Sequence, residues 1–156
     1  MQSTADSPEH YLQRTTGSYI LLIRLPKKET IAIGKLLFRS FHRGYYAYVG
    51  SAMRGFKARL DHHLKENKNH HWHIDYLLQK ASITSVIICQ TEYRVECTIA
   101  QALKRQFDTI PGFGSSDCRC SSHLFFATNK KKMQSTIIAN IKKLGIQPGL
   151  IKISNQ

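Results

Sequence analysis

Five side chains suited to phosphoryl chemistry follow one another in a fixed order. Tyr19 comes after Gly17 and Ser18; Tyr48 opens Tyr48-Val49-Gly50; Arg59, His63 and Glu96 follow. A phenol donates a hydrogen bond and, once ionised, takes a proton. A guanidinium matches the geometry of a phosphate. An imidazole relays protons near neutral pH. A carboxylate holds a hard cation through oxygen. Each residue also has an ordinary reading. The tyrosines suit an amphipathic sheet surface. Arg59 and His63 suit a solvated helix face. Glu96 suits a first helical turn, where the dipole favours negative charge.

The elements that would position them can be read from hydropathy. Tyr19 to Leu25 is a dense apolar run, as in a strand buried on both faces. Thr30 to Phe38 alternates at Ile31 and Ile33 and predicts a second strand; Tyr45 to Ser51 predicts a third. Short connections favour an antiparallel meander, which brings the two tyrosines side by side. Phe56, Leu60 and Leu64 mark the core face of a helix over 56–65, with Arg59 and His63 together on another face. Trp72 to Lys80 predicts a short helix, Val86 to Cys89 a strand, and Val95 to Phe107 a helix that carries Glu96 near its start. Leu124 to Ala127 is a further short strand, and Ile137 to Leu144 lines a last helix. The expectation is an α/β fold with a small central antiparallel three-stranded sheet flanked by helices, plus additional strands and helices. Residues 1–16 read as a flexible leader, 17–145 as one domain and 146–156 as a tail.

Composition narrows the partners. The 156 residues carry 23 Lys and Arg against 10 Asp and Glu, a formal charge of +13. Polyphosphate is the usual counterpart of such an excess, because bound phosphates release condensed counterions; a basic protein with no nucleic-acid role is the bland alternative. No apolar run approaches the roughly 20 residues of a spanning helix, so no membrane partner is expected. The first residues lack a signal peptide's apolar stretch. Cys89 and Cys97 fall in apolar segments, as free thiols do, and a cytoplasmic setting is expected. Protein partners are not legible.

Gly17-Ser18-Tyr19, Tyr48-Val49-Gly50, Arg59, His63 and Glu96 together resemble the ordered signature of the GIY-YIG nuclease superfamily, over roughly residues 17–126. The segments Trp72-His73-Ile74-Asp75-Tyr76-Leu77 and Gly114 to Phe125 resemble its branch known as domain of unknown function 123. The resemblance implies a metal-dependent endonuclease that hydrolyses DNA phosphodiesters, structure-specific and serving repair or recombination. It implies one Mg²⁺ or Mn²⁺ ion on Glu96, Arg59 on the scissile phosphate, Tyr48 as base with its pKa lowered by nearby cations, Tyr19 supporting it, and His63 as proton relay or phosphate contact. Arg54, Lys57, Lys65 and His123 are the expected further nucleic-acid contacts. The first motif reads Gly-Ser-Tyr where the family has Gly-Ile-Tyr. Many relatives also carry a late Asn; the Gly114 to His123 loop stands in its place, offering Ser116, Asp117 and His123. That departure supports the alternative of a catalytically weak or inactive nucleic-acid-binding module.

Two further clusters have competing readings. Cys118-x-Cys120-x-x-His123 offers soft ligands, with Cys89, Cys97 or the His70, His71 and His73 group as a fourth. The spacing is not that of paired zinc cysteines, so a structural Zn²⁺ is not expected, and a loop fixed by Ser and Asp hydrogen bonds is the simpler reading. A structural zinc protein that bridges partners is the third function class. His73 and Asp75 are expected to tie the short helix to the loop, with His70 and His71 exposed.

Overall fold

The computed structural model describes Leu12 and residues 15–153. Among residues 15–153, eight strands and four α-helices follow in the order β1 (Gly17–Leu25), β2 (Glu29–Ala32), β3 (Phe38–Phe41), β4 (Gly44–Ala52), α1 (Phe56–Leu64), α2 (His73–Leu77), β5 (Ser82–Gln90), α3 (Glu96–Lys104), β6 (Asp108–Thr109), β7 (Leu124–Ala127), α4 (Lys130–Lys143) and β8 (Pro148–Lys152). The main sheet has six strands in the order β6-β7-β4-β1-β5-β8, every pair antiparallel, and β2 and β3 form a separate two-stranded ribbon. The expectation of a three-stranded central sheet is therefore corrected. The second and third strands of the meander do not lie together in one sheet, because the 30–38 segment breaks at Gly34–Leu36 into a 3-10 turn and continues as β3.

The apolar run of β1 is explained by its central place. Tyr19, Leu21, Ile23 and Leu25 face one side with Tyr48, Phe56, Leu60, Ile74 and Leu77; Ile20 and Leu22 face the other with Val49, Ile99, Leu103, Ile137 and Ile141. Strand side chains alternate between faces, so a strand covered on both faces has no solvent side to mark with polar residues. Helices α1 and α2 cover the first face, α3 and α4 the second. Asn129 caps α4 by accepting the Lys132 amide at 3.0 Å, a bond of the kind worth ~1 kcal/mol.

Segments on both sides of residues 17–145 bond to the body of the fold. The leader expectation falls mostly outside the described residues, yet Thr15 and Thr16 already hydrogen-bond the body: the Phe56 amide donates to the Thr15 carbonyl and the Thr91 amide to the Thr16 carbonyl. The presumed tail supplies β8, which pairs with β5 from Pro148 opposite Cys89 to Lys152 opposite Ser85. No helix among the described residues is long and apolar enough to cross a membrane.

Candidate active site

Register places the tyrosines. Tyr19 lies opposite Gly50 and Tyr48 opposite Leu21, so the two rings are diagonal neighbours on one face of the β1–β4 pair. Gly50 is what allows the Tyr19 ring to lie flat across β4: a Cβ there would overlap its hydroxyl end. Gly17 has φ +152 and a Cβ on it would run into the Cys89 carbonyl of the neighbouring strand. The glycines of both motifs thus permit close approach.

At this end of the sheet lies a cleft of about 330 Å³, whose walls include Tyr19, Tyr48, Arg59, Trp72, Arg94, Glu96 and Asp117. It gathers Tyr19 and Tyr48 from the sheet, Arg59 from α1 and Glu96 from the start of α3. The Arg59 guanidinium stacks over the Trp72 ring at 4.3 Å, a cation–π contact that holds it in one plane. Arg94 Nη1 is 3.7 Å from Glu96 Oε1 and partly offsets that carboxylate. A larger groove of about 700 Å³ runs along β5 and β8; among the described residues on its walls, Glu92 is the one acidic, basic or imidazole side chain.

His63 departs from expectation. It points inward, 3% exposed, while Leu64 is 43% exposed. The inward stripe of α1 is Phe56, Leu60, His63, a four-then-three spacing, and Leu64 is rotated off it. His63 Nε2 is 2.6 Å from the Tyr19 hydroxyl, and its buried Nδ1 has no partner. An orphaned N–H is rarer in interiors than an orphaned acceptor. The favoured tautomer therefore puts the proton on Nε2, donating to the Tyr19 oxygen, and leaves the Tyr19 O–H available to the cleft. His63 thus fixes the Tyr19 hydroxyl and does not face the cleft.

Burial pushes the His63 pKa down to about 3, opposed by Asp75 and assisted by His62, Lys68 and Arg59. The unfolded chain takes up this proton near 6.5, the native chain only near 3. Between those values the unfolded state binds more protons. The contribution is present in full above the unfolded pKa and is lost as pH falls toward the folded one. Asp75, held low against its burial by amides of Trp72 and His71 and by His62, adds a loss of the same sign. We expect the denaturant midpoint to drop from about pH 7 to about pH 4.5, and the drop to be smaller in His63→Phe; an unchanged pH dependence would remove His63 as its source.

The phenols do not carry lowered pKa values. Burial pushes Tyr19 and Tyr48 upward and the neighbouring carboxylates add to this, with Arg59 opposing. Burial thus favours the protonated form of both phenols at neutral pH. The expectation of an acidified Tyr48 is corrected accordingly.

The further contacts expected from sequence disperse. Arg54 is exposed on the turn after β4. Lys57 bonds Asp61 at 2.6 Å. Lys65 caps α1 and borders grooves beside Lys68. None of these three lines the cleft. His123 borders it but is 3% exposed and turns its Nε2 toward cysteine sulfur, so its expected role as a nucleic-acid contact is corrected. Of the loop residues, Ser116 and Asp117 reach the cleft wall. The Asp75 carboxylate accepts the His71 and Trp72 amides, and the Gly114 amide donates to His73 Nδ1 at 2.9 Å, so these two residues do tie α2 to the loop. His70 and His71 are exposed. Sequence reading missed Trp72 and Arg94 as site residues. Arg94, two positions before Glu96, was within reach of a charge-pair argument; the Trp72 stack needed the fold.

The metal expectation is overturned. Among the described residues the group that gathers ligand atoms is Cys97, Cys118, Cys120 and His123, all within 4.8 Å of one another. Three sulfurs and an imidazole suit a soft cation such as zinc and not Mg²⁺ or Mn²⁺. Glu96 belongs to no group of three such ligands there. Cys97, expected in the core, is part of this cluster; Cys89 is the core thiol, and burial pushes its pKa to about 12.

Residues 18–146 match the family described as Domain of unknown function DUF123, and the chain belongs to that family. Searches of curated proteins and of solved structures return no significant match.

Proposed function

We propose that this chain binds nucleic acid and hydrolyses a phosphodiester in the Tyr19–Tyr48–Arg59–Glu96 cleft. The observation that carries the reading is the convergence of these four side chains, from four separate elements, on one cavity of a chain with charge +13. The resemblance of the tyrosine motifs to those of GIY-YIG nucleases supports it, as does the antiparallel β1–β4 pair that presents both rings. Arg59, braced on Trp72, binds the scissile phosphate and offsets charge as it develops. The protonated phenols of Tyr19 and Tyr48 donate to its oxygens. Glu96, with its side chain 22% exposed, takes the proton of the attacking water. DNA is the polymer that the motif resemblance suggests, with junctions or flaps as the substrates to be offered first.

A non-hydrolytic nucleic-acid-binding module is the second reading; the loop that stands in place of the late Asn favours it, since its His123 turns Nε2 toward cysteine sulfur and not toward the cleft. Cleavage of supercoiled plasmid, flap and four-way junction DNA by the purified chain separates the two. Arg59→Ala is expected to lower turnover ~10²–10³-fold, with a smaller loss of affinity. Equal turnover in the two proteins would remove Arg59 from the site. Binding should weaken linearly in log affinity against log salt, with ~0.9 per phosphate neutralised; a flat response would argue against phosphate as the ligand.

A further inference from the structure

We propose that Cys97, Cys118, Cys120 and His123 hold one structural Zn²⁺, and that this ion fixes the wall of the cleft. The four ligands come from the first turn of α3 (Cys97), from the loop before β7 (Cys118 and Cys120) and from the residue that enters β7 (His123). Their ligand atoms lie within 4.8 Å of one another. His123 Nε2 is 3.4 Å from Cys118 Sγ and 3.9 Å from Cys97 Sγ. In a tetrahedral site with Zn–S ~2.3 Å and Zn–N ~2.0 Å, sulfur and nitrogen ligands stand roughly 3.5 Å apart. The His123–Cys118 pair is already at that spacing, and the other ligand atoms are within an ångström or so of it.

The second ring nitrogen points the same way. His123 Nδ1 is 3.1 Å from the Val49 carbonyl, an acceptor, so Nδ1 carries the proton and donates it. Nε2 is thereby left as a lone pair aimed at the sulfurs. Metal-bound histidines are oriented by such a bond on the other nitrogen. The Val49 amide in turn donates to the His123 carbonyl at 2.9 Å, so the ligand is clamped to β4 beside Tyr48. Four protein ligands close the coordination sphere, which fits a structural ion and leaves no position for a reacting water. Binding releases the three thiol protons to solvent and leaves three thiolates and a neutral imidazole around the cation.

The consequence for the cleft follows from sequence neighbours. Glu96 immediately precedes Cys97, and Ser116 and Asp117 precede Cys118. One ion pins both cleft walls, α3 and the loop, to the same strand. This ties the irregular loop to the fold without hydrogen-bonded secondary structure.

Metal analysis of the purified full chain tests this without nucleic acid, so it stands or falls separately from the nuclease reading. One Zn²⁺ per chain is expected. Replacement by Co²⁺ should give the thiolate charge-transfer and tetrahedral d–d bands of a sulfur-rich site. Chelation should lower the thermal midpoint and raise the number of thiols open to alkylation by three, whereas Cys89→Ser should keep its metal. A wild-type chain that takes up neither Zn²⁺ nor Co²⁺ under reducing conditions would overturn the proposal. A disulfide among Cys97, Cys118 and Cys120 that persists under reducing conditions would do the same, and both results are readable even if Cys120→Ser fails to fold.

Discussion

Glu96→Ala is expected to lower phosphodiester cleavage ~10²–10⁴-fold while nucleic-acid affinity stays the same or tightens slightly. The sign of the binding effect follows from charge: the substitution removes a carboxylate from a cleft proposed to hold a phosphate. The loss of turnover follows from the phenols. With Tyr19 and Tyr48 pushed upward in pKa by burial, both phenols favour the protonated form, and the Glu96 carboxylate is the proposed base. Glu96→Gln keeps the shape and should show the same loss. Glu96 begins α3, and Cys97 follows it, so the thermal midpoint and zinc content of each variant must match wild type before turnover is compared. Wild-type turnover in a folded Glu96→Gln protein would exclude Glu96 as the base. Loss of binding along with turnover would assign it a structural role.

Gly50→Ala should destabilise the fold by about 1–3 kcal/mol, the usual cost of forcing extra volume into a packed core. The new methyl would occupy space held by the Tyr19 ring. That ring is 1% exposed and its hydroxyl is held by buried His63, so it cannot swing out without breaking the pair. Chemical denaturation of Gly50→Ala, Tyr19→Leu and the double variant forms the test. The double variant should be more stable than the sum of the two losses, because leucine vacates the contested space; such neighbours show coupling of ~0.5–3 kcal/mol. Strict additivity would mean the ring does not depend on Gly50.

These two predictions mark what could be read before folding. Tyr19, Tyr48, Arg59 and Glu96 were legible as a group because patterning placed each on an element and their order resembles a known signature; the direct pairing of β1 with β4 across the intervening β2–β3 ribbon was not legible. The apolar run of β1 identified the strand that both faces cover. What escaped reading depends on distant partners. Pro148–Lys152 has no alternation of its own and becomes β8 because β5 offers a free edge. His63 looked like a surface residue, since a helix position four after an arginine shares its side; only the depth of the groove under Tyr19 turned it inward. The metal ligands were individually visible, but Cys97 is separated from Cys118 by twenty-one positions, and their meeting is a product of α3 packing beside the β7 loop. Irregular spacing argues against a local zinc motif, but a ligand set assembled by tertiary structure need not follow one.

The stack of Arg59 on Trp72 has a practical side. The chain contains one tryptophan, and the fold places it in the cleft wall beneath the only arginine that α1 carries. Indole emission from this protein therefore comes from a single known position. It is a built-in optical probe whose signal reports the occupancy and polarity of that wall, free of background from any second indole.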